Sequence, residues 1–272
     1  MAKTFSKAEI LERLARVVES GSPIVAAAPC NGIAAKCAAL GGVDLIIYST
    51  MGTSRSMGFP TRIIEDFHGN RSLLMHTEFA TVVDDTPLIA GLDASDIWSL
   101  DHVRLIDKFI DAGVSGVANL PSAQMYDDPF RIRAKNTRHG FEQELDLIAK
   151  ANERGLFTVG FVYYPEDALA MIESGADLII ATCGHTQGGT AGYPEQSMDD
   201  AIGRIAPVAQ AVKESGRDVF CLGHGGPFNS PESTRTLYDR TRVDGLYGGS
   251  ALDRIPIEAA VRTVMEQYKA PL

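Results

Sequence analysis

Apolar residues along this chain gather in eight short runs, separated by longer stretches in which they recur every three or four positions. The runs begin at Pro23 (PIVAAAP), Asp44 (DLIIYST), Pro87 (PLIAGLD), Gly116 (GVANLP), Phe157 (FTVGFVYY), Asp177 (DLIIATC), Asp218 (DVFCLG) and Val243 (VDGLYGG). Each has the length of a strand and is rich in β-branched or small residues. None alternates strictly, which suits parallel strands buried on both faces. Between the runs, Phe141, Leu145, Ile148 and Ala149 recur at helical spacing, as do Met198, Ala201, Ile202, Ile205 and Val212. Gly42, Gly113, Gly155, Gly175 and Gly216 stand just before runs, where a helix commonly ends in a left-handed residue. The opening segment MAKTFSKAEILERLARVV reads as an amphipathic helix and lacks the apolar core of a signal peptide. Strands alternating with helices, without a Pro- or Ser-rich linker, predict an α/β chain: a single (β/α)8 TIM barrel over residues 1–272 with an N-terminal capping helix. A doubly wound open sheet is the alternative, but its GxGxxG turn after the first strand is missing.

Composition narrows the partners. An apolar content of 45% suffices for a large core, and a net charge of −10 argues against nucleic acid, which needs clustered Lys and Arg. A small anion remains compatible, since a local nest of amides and one or two Arg can bind it. Cys30, Cys37, Cys183 and Cys221 show no CxxC spacing and read as reduced thiols of a cytoplasmic protein. The small-apolar stretch PIVAAAPCNGIAAKCAALGG is broken by Pro29, Asn31 and Lys36, so no membrane span is expected.

In such a barrel, chemistry belongs to the C-terminal ends of the strands, and the long loops after strands two, four and six are the expected lids. The last two strands end in Gly223-His224-Gly225-Gly226 and Gly248-Gly249-Ser250. Glycine lets the backbone approach an anion, so the amides of Gly225, Gly226, Gly249 and Ser250 are candidate phosphate or carboxylate binders. The sixth loop, from Cys183 to Gly192, adds Gly188 and Gly189 to that set and carries His185 and Thr186. His185 and His224 are candidate acid/base partners or metal ligands, or each simply holds its turn by bonding a carbonyl. Cys183 is a weaker candidate nucleophile, since buried free cysteine usually packs. None of the eight lysines ends a barrel strand, which disfavours Schiff-base chemistry. Asp93 ends the third strand and can hold Mg²⁺ or Mn²⁺ or act as a general base, unless it or Asp96 only caps the next helix. Arg55, with Ser54 beside it, is a candidate carboxylate clamp on the second loop; pairing with Glu65 or Asp66 is the plainer role. Tyr163 and Asn119 can donate to a developing oxyanion, and only one of Tyr163 and Tyr164 can face inward. Asn31 reads equally well as a rim residue or a helix N-cap.

The segments GVSGVANLPS, GFEQELDLIAKA, YYPEDA, CGHTQGGTAG, GHGGPF and GGSALDRIPIE, in this order and spacing, resemble the phosphoenolpyruvate hydrolase-like TIM-barrel family, which also supplies the barrel of Tm-1-type proteins. The stretch APCNGIAAKCAALGGVDLIIYST is similar to the first βαβ unit of the phosphoenolpyruvate/pyruvate superfamily. This resemblance implies a small oxoacid or enol-phosphate substrate, a divalent metal, an enolate-type intermediate and a homo-oligomer. It departs from the superfamily's acidic cluster, for strand four ends in Asn119 where an acid is expected. The expected function is therefore a hydrolase or lyase acting through an enolate or oxyanion. A Zn²⁺-dependent retro-aldol C–C lyase and a non-catalytic anion-sensing barrel are the alternatives.

Overall fold

All eight apolar runs become strands, and the strands close on themselves. The computed structural model describes residues 2–64, 66–126 and 128–271. Its strands are β1 (Ile24–Ala27), β2 (Leu45–Tyr48), β3 (Leu88–Leu92), β4 (Gly116–Asn119), β5 (Phe157–Val162), β6 (Leu178–Thr186), β7 (Phe220–Gly226) and β8 (Gly245–Gly248). They pair in chain order, all parallel, with β8 returning to β1. The helices are α1 (Lys7–Glu19), α2 (Gly32–Leu40), α3 (Gly52–Ser56), α4 (Asn70–Ala80), α5 (His102–Asp111) and α6 (Asp128–Ala134). They continue as α7 (Phe141–Glu153), α8 (Pro165–Glu173), α9 (Met198–Glu214), α10 (Pro231–Arg240) and α11 (Arg254–Tyr268). This is the TIM barrel expected from the pattern.

Alternation along each strand divides the core in two. Ile47, Ile89, Ala118, Phe161, Ile180, Leu222 and Tyr247 fill the barrel, and Ile10 and Leu14 of α1 close its floor. The intervening residues, such as Ile46, Ala90, Val117, Ile179 and Cys221, pack under the helices. Helix α1 starts at a capping box, in which Ser6 N–H donates to Glu9 Oε2 at 2.8 Å and Glu9 N–H to Ser6 Oγ at 3.3 Å. The five glycines expected at helix ends all have positive φ, from 68° at Gly216 to 94° at Gly175. Gly245 has a different reason: a Cβ there would lie 1.9 Å from the Ile24 carbonyl oxygen, so only glycine lets β8 close against β1. Among the described residues, no helix is long and apolar enough to cross a membrane.

Candidate functional site

The parity that fills the barrel also decides which strand ends face its mouth. Ser49, Phe161, Thr186, His224 and Tyr247 line a cleft there with Met51, Arg55, Thr61, Leu120, Met125, His185 and Gly249. The cleft leaves only about 20 Å³ for the centres of water-sized molecules, room for about one water.

Arg55 is the cation of this cleft, and its residue is only 6% exposed. Helix α3 turns it inward, where Nε donates to Asp253 Oδ2 at 2.9 Å and Nη1 to Thr61 Oγ1 at 3.0 Å. Nη2 donates to the Ala28 carbonyl, tying the group to the end of β1. Two of the five guanidinium N–H groups remain beyond these bonds. Gly249 lies against the same group, since a Cβ there would be 3.4 Å from Nη1. Of the alternative partners, Asp66 is instead buried and accepts from the main-chain N–H of Arg71 and Ser72. Glu65 lies outside the described residues. Ser54 supports the loop, donating to the Met51 carbonyl and accepting from Arg62 N–H. Ser250 is buried, with Oγ 3.4 Å from Thr61 Oγ1.

His224 points inward from β7. Its ring lies 4.9 Å from the Tyr247 ring and 5.5 Å from the Phe161 ring, centre to centre. Burial pushes its pKa down to about 4, against the opposing hydrogen bond to Tyr247, and the charges of His185 and Arg55 push the same way. His185 is likewise lowered to about 4, by burial first and Arg55 second, and its ring stacks on Tyr193 at 4.4 Å. Both imidazoles are therefore neutral near pH 7 and share the cleft with one fixed cation. Tyr163 faces inward, packed on Phe161 at 6.0 Å with its pKa raised by burial. Tyr164 is exposed and stacks under Arg131.

Other candidates lie elsewhere. Asn119 faces outward: its amide donates to Glu144 and to the Phe161 carbonyl and accepts from Phe161 N–H at 2.6 Å, lacing β4 to β5 and α7. Gly188 and Gly189 sit on the outer rim, where Cβ atoms would fall 2.8 Å from Asn229 Nδ2 and 2.4 Å from Arg254 Nη1. Gly225 and Gly226 let the sixth and seventh loops cross. At Gly225, with φ +92°, a Cβ would lie 1.7 Å from the Gly184 oxygen; at Gly226, 2.8 Å from Cys183 Sγ. Cys183 itself faces outward, with its thiol pushed up to about 12 by burial. Asp96 accepts from His68 N–H and Trp98 N–H, pinning the third loop. Asn31 caps α2 through Ala34 N–H.

Asp93 does reach the mouth, but in an adjoining crevice with Ile63, Ser95, Pro121, Ser122, Tyr126 and His139. Behind it sits Glu144, a residue the sequence reading missed. It is buried on α7 and accepts from Ala123 N–H at 2.7 Å as well as from Asn119. Burial raises its pKa to about 8, against those hydrogen bonds, with the Asp93 charge adding to the rise. The signal was available: Glu144 stands one turn before Leu147 and Ile148, on the face that α7 buries.

Among the described residues, no group of three His, Cys, Asp or Glu is arranged to hold a metal. A closed zinc site, which needs three or four such ligands, does not fit this donor set. An open Mg²⁺ site does, because Mg²⁺ commonly takes one carboxylate and completes its shell with water and substrate oxygen. Asp93 is the carboxylate that would hold it there.

The sequence model of the phosphoenolpyruvate hydrolase-like family matches residues 9–270. The chain belongs to that family. It is 33% identical over 270 residues to the ToMV susceptible protein tm-1(GCR26) of Solanum lycopersicum, covering 96% of this chain and 35% of the relative. The ToMV resistance protein Tm-1(GCR237) of the same plant matches equally, so the chain spans about a third of the length of these curated relatives. Crystal structures share the fold of this phosphoenolpyruvate hydrolase-like chain at lower identity. Phosphonopyruvate hydrolase in complex with oxalate and Mg²⁺ superposes with a TM-score of 0.60 at 21% identity, covering 95% of this chain and 86% of that one. Oxaloacetate acetylhydrolase does so at 0.58 and 18%, covering 97% and 87%. For 2,3-dimethylmalate lyase the values are 0.59 and 17%, with 96% and 87% covered.

Proposed function

We propose that the chain is an enzyme acting on a small anionic oxoacid or an enol ester or phosphate, a hydrolase whose reaction passes through an enolate or oxyanion. The observation that carries this reading is the pairing, in one cleft, of an immobilised Arg55 with a neutral His224. The cation answers a carboxylate or an enolate oxygen with the two N–H groups its scaffold leaves over. The imidazole supplies a lone pair for proton transfer. Family membership and the oxoacid enzymes that share the fold support the same substrate class.

For an enol phosphate, water attacks phosphorus as the bond to the enol oxygen breaks, and His224 Nε2 takes the water proton. The enolate left behind, held by Arg55, collects that proton at its methylene carbon, giving the oxoacid and phosphate. Mg²⁺ bound at Asp93 would supply further positive charge against the developing enolate. The rim formed by residues 49–62 and Met125 has to give way to admit substrate, because the cleft as it stands holds about one water.

C–C cleavage is the second reading, since the same cation and base stabilise the enolate released from a substituted oxoacid; the acetylhydrolase and lyase neighbours favour it. The deciding experiment incubates the purified chain with phosphoenolpyruvate and with oxaloacetate, following phosphate and pyruvate. Turnover of either, lost in His224→Gln with binding retained, supports the enzyme. Anion binding unchanged by His224→Gln, with no turnover on either compound, would replace it with a sensing barrel.

A further inference from the structure

Two loops meet over the cleft, and they are held very differently. The sixth loop is a fixed post. Gln187 N–H donates to the Gly226 carbonyl at 3.1 Å, and the carbonyl and side chain of Gln187 accept from Asn229 Nδ2 and Gln196 N–H. Thr190 N–H donates to Glu258 at 2.8 Å, and Arg254 to the Gly188 carbonyl at 2.9 Å. The second loop instead sends residues 56–62 out as a strap that folds back on Ser54. Phe59 N–H donates to the Ser54 carbonyl and Arg62 N–H to Ser54 Oγ, both at 3.1 Å. Ser56, Met57, Gly58, Phe59 and Arg62 are all exposed. Across the cleft, Tyr193 Oη donates to the Thr61 carbonyl at 2.7 Å and ties the strap to the post. The Tyr193 ring is set for this by its stack on His185, with 29° between the ring planes.

We propose that Tyr193 is a latch that keeps the site self-occluded. Its bond holds Thr61 with the hydroxyl on Arg55 Nη1 at 3.0 Å, and 3.4 Å from Ser250 Oγ. Thr61 thereby stands in for a substrate oxygen on the guanidinium. Lifting the strap breaks the Tyr193–Thr61 and Thr61–Arg55 bonds but leaves those of Arg55 to Asp253 and the Ala28 carbonyl intact. The cation therefore stays in place while a third N–H is uncovered. Selection follows from the exchange, because a ligand must bring its own acceptor oxygen to Nη1 to replace the hydroxyl that leaves. A carboxylate does so with a charge-assisted bond, whereas an apolar or purely donating ligand leaves the N–H unpaired. One hydrogen bond is the right scale for such a latch, since it shifts the open population by about two- to tenfold. The occlusion stands on this geometry; the displacement of Thr61 by substrate rests on the proposed role of Arg55 as the anion-binding cation.

Diethyl pyrocarbonate acylates neutral imidazole and is too large for a cleft that holds about one water. It reaches His224 only when the strap is up, so labelling of the full chain at pH 7, mapped by mass spectrometry, reads the open population. In the wild type His224 should label far more slowly than the exposed His68. Tyr193→Phe keeps the ring on His185 and removes only the hydroxyl. It should speed His224 labelling about fivefold and leave His68 unchanged. The buried His76 should stay unlabelled, which shows that the barrel itself has not loosened. Phosphoenolpyruvate should bind the variant about fivefold more tightly, because apparent affinity scales with the open fraction. Labelling of His224 as fast as His68 in the wild type, or unaltered by Tyr193→Phe, would overturn the latch. Faster labelling with an unchanged phosphoenolpyruvate affinity would overturn the displacement of Thr61 by substrate. Faster labelling with phosphoenolpyruvate bound by neither protein supports the latch and removes the proposed substrate class instead.

Discussion

His224 Nδ1 lies 2.9 Å from the main-chain oxygen of Tyr247. A carbonyl oxygen can only accept, so the proton sits on Nδ1 and the lone pair on Nε2. Burial holds the ring neutral down to about pH 4, so this lone pair is available throughout the physiological range. A single backbone contact thereby selects the tautomer that the proposed proton transfer needs.

The pH dependence follows in sign. The folded pKa of His224, about 4, lies below the free value of 6.5, so the unfolded chain takes up the proton first as pH falls. The His224 contribution is therefore complete above about pH 6.5 and is lost toward pH 4, with His185 contributing in the same sense. Thermal unfolding between pH 7 and 4 should show this decline, and His224→Gln should flatten it. The same variant should lower kcat by roughly 10²–10⁴, the usual worth of a general acid/base. An acid slope identical to wild type would remove His224 as its source.

Arg55 makes a contrasting prediction about the cation. Lysine cannot span Asp253, Thr61 and the Ala28 carbonyl at once, since it lacks the planar fork. Arg55→Lys should raise KM about tenfold or more while the chain still folds. Arg55→Ala removes the cation paired with Asp253, whose side chain is 1% exposed, and should cost about 3–5 kcal/mol in urea unfolding. If Arg55→Lys left KM unchanged, the guanidinium would be a purely structural strut.

The barrel was legible in the sequence because a parallel strand buried on both faces writes itself as an apolar run, and helix-end glycines punctuate the runs. The site was legible only in part. Strand ends announce residue types at the mouth but not which way each side chain points: Asn119 and Cys183 face the helices, while Tyr163 and His224 fall on the inward parity. With both faces apolar, the pattern holds no clue to that parity. The sixth-loop glycines misdirect for a related reason, because close approach of backbone to Arg254 and Asn229 demands glycine as strongly as an anion does. Glu144, far in sequence from any strand end, is marked only by its place on the face that α7 buries.

Glu144 should reveal itself by a stability slope opposite to that of the histidines. Its folded pKa, about 8, is raised above the usual 4.5 by burial, opposed by bonds from Asn119, Ala123 and Ser122 and reinforced by Asp93. Its contribution is therefore fully present below about pH 4.5 and is lost as pH rises through about 8. The Glu144 contribution to the melting temperature should fall between about pH 5 and 8 in the wild type, and that fall should be absent in Glu144→Gln. The variant sits lower overall, by about 1–3 kcal/mol, because its amide nitrogen is a donor where one Glu144 oxygen accepts from Asn119 or Ala123. The slope is the diagnostic, and an unchanged slope would mean the group is ionised in the fold at neutral pH.

Asp93 decides the role of metal. It stands at the mouth beside Ser122, Tyr126 and His139, with Glu144 behind it, and an open site of one carboxylate binds Mg²⁺ weakly, with substrate completing the shell. Activity should therefore rise with added Mg²⁺ or Mn²⁺ and fall on chelation. Asp93→Asn should shift the half-saturating Mg²⁺ concentration upward by roughly tenfold, the cost of one charged ligand at about 1.4 kcal/mol. The melting curve of the metal-free protein gives the control, since it should keep a single cooperative transition. Turnover indifferent to EDTA, yet abolished in Asp93→Asn, would instead assign the carboxylate to proton transfer.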